Sequence, residues 1–97
     1  MGSTIELVRF TVSDERVQEM LDARARMIDE FRAERDGFVD SRLIGLPDGQ
    51  WLDVIEWRTS ADLDTSRARG ADLPGFAAFL ATVDTVVADE RGDLAGP

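Results

Sequence analysis

The chain has 97 residues, of which 20 are acidic and 11 basic, for a formal net charge of −9. That balance disfavours phosphate backbones and anionic membrane surfaces, so neither nucleic acid nor membrane is expected as a partner. The sequence contains no His, Cys, Tyr, Asn or Lys, which excludes a Ser-His-Asp triad, a Cys nucleophile, a Schiff-base lysine, disulfides and zinc held by His or Cys.

One small domain, residues 1–97, is expected from this length. No apolar run approaches the ~20 residues of a membrane span, and no signal-peptide pattern opens the sequence, so the expected location is the cytoplasm. All the basic residues are Arg, beside abundant Ala, Asp, Gly and Val. This composition suggests a GC-rich genome of the actinobacterial kind.

Thr4–Val12 alternates and is rich in β-formers, which predicts a first strand. Ile5, Leu7 and Arg9 fall on one face, and Val8, Phe10 and Val12 on the other. Ser13 suits an N-cap, with Asp14 and Glu15 at the positive end of the dipole. A first helix is predicted from there to about Asp36, with Val17, Met20, Leu21, Met27, Ile28 and Phe31 as its apolar stripe. Gly37 closes it.

Gly37–Ser60 reads as a hairpin with strands Phe38–Leu46 and Gln50–Thr59. Asp48-Gly49 predicts a two-residue type I′ turn. That turn would pair Pro47 with Gln50, Ile44 with Asp53, Arg42 with Ile55 and Asp40 with Trp57. One face then collects Phe38, Asp40, Arg42, Ile44, Leu46, Trp51, Asp53, Ile55 and Trp57. The other collects Val39, Ser41, Leu43, Gly45, Leu52, Val54, Glu56 and Arg58. Neither face is purely polar, so both are expected to be covered.

Ser60 caps a second predicted helix, Ala61 to about Arg69, expected to be short and peripheral because Leu63 is its one large apolar residue. Gly70 interrupts it. Pro74 suits the first turn of a third helix, to about Thr82, with Phe76, Phe79, Leu80 and Val83 facing the core. Thr85–Asp93 is a last strand.

The order β-α-β-β-α-β predicts an α+β, ferredoxin-like antiparallel sheet. Helices can cover one face of such a sheet. The other, carrying Val39, Leu43, Leu52 and Val54 or their opposite set, lies open, and an apolar patch of that size marks an interface, here with a second copy.

The segments ELVRFTV, GFVDSRLIGLPDGQWLDVIEWRTSADLD and LPGFAAFLATVDTVV resemble antibiotic-biosynthesis-monooxygenase-like domains of the dimeric α+β barrel superfamily. The likeness rests on the strand opening, a GF before strand two, and a Trp ending strand three followed by S/T-x-x-D/E. It implies a homodimer whose sheets face each other, with a pocket between sheet and helices in each subunit. It further implies an enzyme acting on an aromatic or polyketide-like small molecule with no bound cofactor and no metal, or a non-catalytic binding module of the same build. Trp57, in EWRTS, matches the family's pocket tryptophan; the alternative is a core aromatic. Characterised oxygenases of the family also use Asn, Tyr or His beside that residue, and this chain has none of the three.

The predicted hairpin face brings Asp53 and Arg42 within ~7–8 Å of each other. They read either as an ion pair that fixes the hairpin or as a catalytic pair, with Asp53 the base and Arg42 the group holding a phenolate or carboxylate. Asp40 is an alternative base, and Arg9 an alternative to Arg42. Trp51 and Trp57 on that face, with Phe76 and Phe79 as the roof, complete the candidate substrate-binding set.

Overall fold

Alternating apolar and polar positions produce four antiparallel strands, β1 (Thr4–Thr11), β2 (Phe38–Gly45), β3 (Trp51–Trp57) and β4 (Thr85–Asp93), in the spatial order β2-β3-β1-β4. The structure, a computed structural model, describes residues 2–97. Three helices, α1 (Val17–Glu34), α2 (Ser60–Arg69) and α3 (Pro74–Thr82), connect the strands. This is the ferredoxin-like α+β arrangement. No helix among the described residues is long and apolar enough to cross a membrane.

The helices start where local chemistry directs them, with two differences from the predicted caps. Ser13 opens a short 3-10 turn, Asp14–Arg16, rather than α1, and its hydroxyl bonds Asp84 instead of capping. Thr59 rather than Ser60 caps α2, its Oγ1 accepting the Asp62 N–H at 3.1 Å. Pro74 stands in the first turn of α3 as predicted. Leu73 at the α3 N-cap has no capping side chain, and Glu30 of α1 replaces one. Its carboxylate accepts the N–H groups of Gly75 at 2.7 Å and Phe76 at 3.0 Å, a negative charge at the positive end of a helix. In α1, Met20, Ala23, Met27 and Phe31 are buried, whereas Leu21, counted in the predicted stripe, is exposed.

The β2–β3 turn corrects the predicted register. Gly49 has φ +82, and among the described residues only glycines have a positive φ, so Asp48 cannot occupy a type I′ turn. Leu46 O instead accepts the Gly49 N–H at 3.1 Å, and the Leu46 N–H donates to Gln50 O at 2.9 Å. The loop is therefore Pro47, Asp48 and Gly49, with Pro47 in the first central position and glycine in the left-handed position. One extra loop residue shifts the ladder by one: Gly45 faces Trp51, Leu43 faces Asp53 and Ser41 faces Ile55. Such a slip turns every side chain of β2 to the other face relative to β3. Asp40, Arg42 and Ile44 thus share a face with Leu52, Val54 and Glu56. A bulge at Val39 restores Phe38 to the side of Trp57.

The helix-covered face carries Thr4, Glu6, Val8 and Phe10 of β1 against Trp57, Ile55, Asp53 and Trp51 of β3. With α1, α2 and α3 it encloses the core of Phe10, Met20, Met27, Phe31, Ile55, Trp57, Leu63 and Phe79. Leu63 is 1% exposed, so α2 is part of the core cover and not peripheral as predicted. The uncovered face presents Ile5, Leu7, Leu52, Val54 and Ile44, fringed by Arg9, Arg42 and Glu56. Leu43, predicted as a possible open-face residue, packs on the core instead.

Candidate binding cavity

A cavity of about 390 Å³ lies between the covered sheet face and the helices. Its walls are aromatic and aliphatic: Phe31 and Met27 from α1, Leu63 from α2, Phe76 and Phe79 from α3, Ile55 and Trp57 from β3. Apolar walls with a few polar groups at one edge are the usual lining of a small-molecule site.

The aromatic wall is built by edge-to-face packing. Phe31 meets Phe76 at 5.1 Å and Phe38 at 5.6 Å, and Phe79 meets Phe10 at 5.6 Å, all near perpendicular. Trp57 is 1% exposed and packs on Phe38 at 5.7 Å. Its ring borders the cavity, and its Nε1–H donates to Glu6 Oε1 at 3.1 Å.

Glu6 is the centre of the cavity's polar edge. Its other oxygen accepts a hydrogen bond from Arg67 Nη2 at 2.7 Å, and the same Nη2 donates to Asp89 Oδ1 at 2.7 Å. Three elements meet here: Glu6 on β1, Arg67 on α2 and Asp89 on β4, where Asp89 stands opposite Val8. The hydrogen bond to Asp89, with the nearby Glu6 charge, raises the Arg67 guanidinium above its ordinary pKa, so it stays charged across the working pH range.

Asp53 also borders the cavity but has no carboxylate oxygen free of the protein. Arg24 of α1 donates Nη2 to Oδ1 at 2.8 Å and Nε to Oδ2 at 3.1 Å, and the Ser41 hydroxyl donates to Oδ1 as well. The pair is nearly dry, with the Asp53 side chain 3% and the Arg24 side chain 13% exposed. The partner of Asp53 is therefore Arg24, not Arg42.

Of the predicted set, the structure brings Trp57, Phe76, Phe79 and Asp53 together around this cavity. It does not bring Arg42, Asp40 or Trp51 there. The one-residue register shift sets Arg42 and Asp40 on the uncovered face, beside a smaller recess with Ile5, Val54 and Glu56. Asp40 pairs with Arg32 at 2.8 Å; the Ser41 backbone N–H first, then Arg32, hold its carboxyl below the usual range. Trp51 stays on the covered face but lies outside the cavity, over Gly45 and opposite Phe10. Arg9 is on the uncovered face and donates to Gln50.

The roof is tied down by a second buried arginine. Arg35, with a side chain 1% exposed, donates Nε to Ser66 Oγ at 2.9 Å and Nη2 to both Gly70 O at 3.1 Å and Asp72 Oδ1 at 2.7 Å. These bonds fix the α2–α3 connection, of which Gly70 and Ala71 border the cavity. Its guanidinium also stacks on Phe31 at 5.3 Å.

No family model matches the sequence, and no curated protein matches it. Solved structures do. A candidate antibiotic biosynthesis monooxygenase from Bordetella bronchiseptica is 13% identical, with 98% of this chain and 99% of that one covered and a TM-score of 0.82. One from Caulobacter crescentus CB15 is 15% identical, with 98% and 92% covered and a TM-score of 0.75. SnoaB, a cofactor-independent oxygenase from Streptomyces nogalater, is 22% identical, with 100% and 95% covered and a TM-score of 0.70. This chain has the antibiotic biosynthesis monooxygenase fold.

Within that fold, Glu6, Arg67 and Asp89 are the charged cavity residues that sequence reading passed over. Signals for them exist. Glu6 alternates with Val8 and Phe10, so the strand pattern itself sets a carboxylate on the buried face. Leu63, Ser66, Arg67 and Gly70 recur at helical spacing, and all four border the cavity. Asp89 had no comparable signal, because the register of β4 depends on a bulge between Arg9 and Phe10.

Proposed function

We propose that this chain is an enzyme that takes a flat aromatic or polyketide-like molecule into the cavity and oxidises it without a bound cofactor. The aromatic-walled cavity with its single polar edge carries the reading, and the fold shared with SnoaB supports it. In such a reaction the substrate supplies the electrons. A ring CH₂ activated by neighbouring phenols loses two hydrogens, one atom of dioxygen becomes the new carbonyl, and the other leaves as water. Deprotonation makes the ring electron-rich enough to react, so a carboxylate at the pocket edge is useful. We assign that task to Glu6: it accepts one hydrogen bond at each oxygen, from Trp57 and Arg67, against three on the more deeply buried Asp53. Asp53 serves instead to hold β3 to α1.

The second reading is a binding module of the same build that performs no chemistry. The full engagement of Asp53 by Arg24 and Ser41 favours it, because it removes one candidate base. Oxygen uptake with a dihydroxyanthrone separates the two. Protein-dependent consumption of one dioxygen per anthraquinone formed supports the enzyme, whereas saturable binding with no uptake supports the module.

The assembly proposed with either reading is a homodimer through the uncovered sheet face. Ile5, Leu7, Leu52 and Val54 there are only partly covered within one chain, and Ile44 is 44% exposed. Apolar area of that extent on a domain this small is normally buried against a partner.

A further inference from the structure

Four ionisable side chains border the cavity: Glu6, Asp53, Arg67 and Asp89. Asp53 is neutralised by the bidentate Arg24 behind it. The other three form one cluster in which a single guanidinium serves two carboxylates, leaving one negative charge in excess at the polar edge. Among the described residues no other cation borders this edge. Arg91, across the ladder from Glu6, pairs with Asp64. Arg35 lies behind Ser66, bound to Asp72, and does not border the cavity. The edge also holds more acceptors than donors, since Glu6 and Asp89 keep free lone pairs.

From this charge count, and resting on the reading of the cavity as a small-molecule site, we infer that the ligand carries no negative charge and turns hydroxyl groups toward Glu6 and Asp89. A carboxylate or sulfonate on the same ring system would face the like charge of Glu6, whose side chain is 12% exposed, where repulsion is screened less than in water. A neutral phenol meets the opposite situation, because its O–H donates to a waiting carboxylate, a charge-assisted bond. The pocket therefore selects between polyketide-like aromatics that retain a free acid and those that have lost or masked it.

The test is calorimetric titration of the whole chain with 2,6-dihydroxyanthraquinone, whose hydroxyls are free of the ring carbonyls, and with a carboxylate of the same skeleton placed away from both hydroxyls, at pH 6 and at two salt concentrations. The neutral compound is expected to bind at least about tenfold more tightly, with the gap widening at low salt. Asp89→Asn, a change at a surface-accessible side chain, and Glu6→Gln are each expected to narrow the gap to about threefold. Ala71→Phe, which blocks the cavity from its exposed loop, is expected to weaken both compounds and so reports that they bind there. Equal or tighter binding of the carboxylate, still blocked by Ala71→Phe, overturns the charge selection and leaves the cavity as the site. A gap that neither Asp89→Asn nor Glu6→Gln alters also overturns it. Binding of neither compound, or binding that Ala71→Phe does not affect, removes the cavity reading and this inference with it.

Discussion

Arg24 on α1 holds both carboxylate oxygens of Asp53 on β3, at 2.8 and 3.1 Å, across the interior of the molecule. The contact joins the longest helix to a central strand and leaves Asp53 unavailable as a base. Asp53→Asn should therefore lower stability, by about 3–5 kcal/mol for a buried pair stripped of one partner. Replacing the pair together, with Arg24→Met and Asp53→Leu, should recover much of that loss. Urea denaturation of the two variants beside the parent measures it. A variant Asp53→Asn as stable as the parent but unable to turn over a substrate would restore Asp53 as a catalytic group.

Trp57 has its ring on the cavity and its N–H on Glu6. Trp57→Phe should keep the fold, since most of the packing against Phe38 and Phe31 survives. It should also release Glu6 from one of its two fixed donors. Binding of an aromatic ligand is expected to weaken about tenfold, the scale of a lost stacking surface plus one hydrogen bond. Unchanged affinity by calorimetry would remove Trp57 from the site.

Glu30 caps α3 from a different helix. Glu30→Ala should cost about 1–2 kcal/mol, the upper part of the range for a lost cap. The loss should also reach function, because the uncapped turn contains Phe76. Thermal melting gives the first effect and ligand titration the second. Loss of stability with no change in affinity would show that Phe76 does not depend on the cap.

The α2–α3 connection should loosen in acid. The Arg35 hydrogen bond, then that of Arg69, hold the Asp72 carboxyl below the ordinary carboxylate range. A depressed folded pKa means that the contribution is present above the unfolded value of ~3.9 and is lost as pH falls through the folded one. Asp72→Asn should thus destabilise the chain at pH 7 and matter least near pH 2. Parallel melting curves of parent and variant across that window test the sign. A difference that grows toward low pH would contradict it.

The uncovered face should be the dimer contact. Leu52→Glu and Val54→Glu place charges at its centre and should shift sedimentation from dimer to monomer at micromolar concentration. A parent chain that already sediments as a monomer would end this proposal.

The fold was largely legible in the sequence because its signals are local. Alternation in Thr4–Thr11, the Gly49 turn and Pro74 each act within a few residues. The site was less so, and one residue accounts for much of the difference. A two-residue and a three-residue loop at Pro47-Asp48-Gly49 differ in sequence by nothing, yet the pair Arg42 and Asp40 lies on the face of Trp57 with the first and on the opposite face with the second. Arg24 carried no signal of its role in the sequence, since its contact with Asp53 spans 29 positions. Glu6 was visible as a carboxylate in an apolar alternation, but Asp89 required the bulged pairing of β4 with β1.

The two tryptophans supply a direct measurement of the cavity as the binding site. Their indole N–H groups give separate NMR resonances, assignable by Trp51→Phe and Trp57→Phe. Only the Trp57 ring borders the cavity, and its N–H is held by Glu6. On titration with 2,6-dihydroxyanthraquinone, the Trp57 indole resonance should move saturably while that of Trp51 stays in place. A stationary Trp57 resonance, or a shift confined to Trp51, would contradict a binding site between the sheet and the helices.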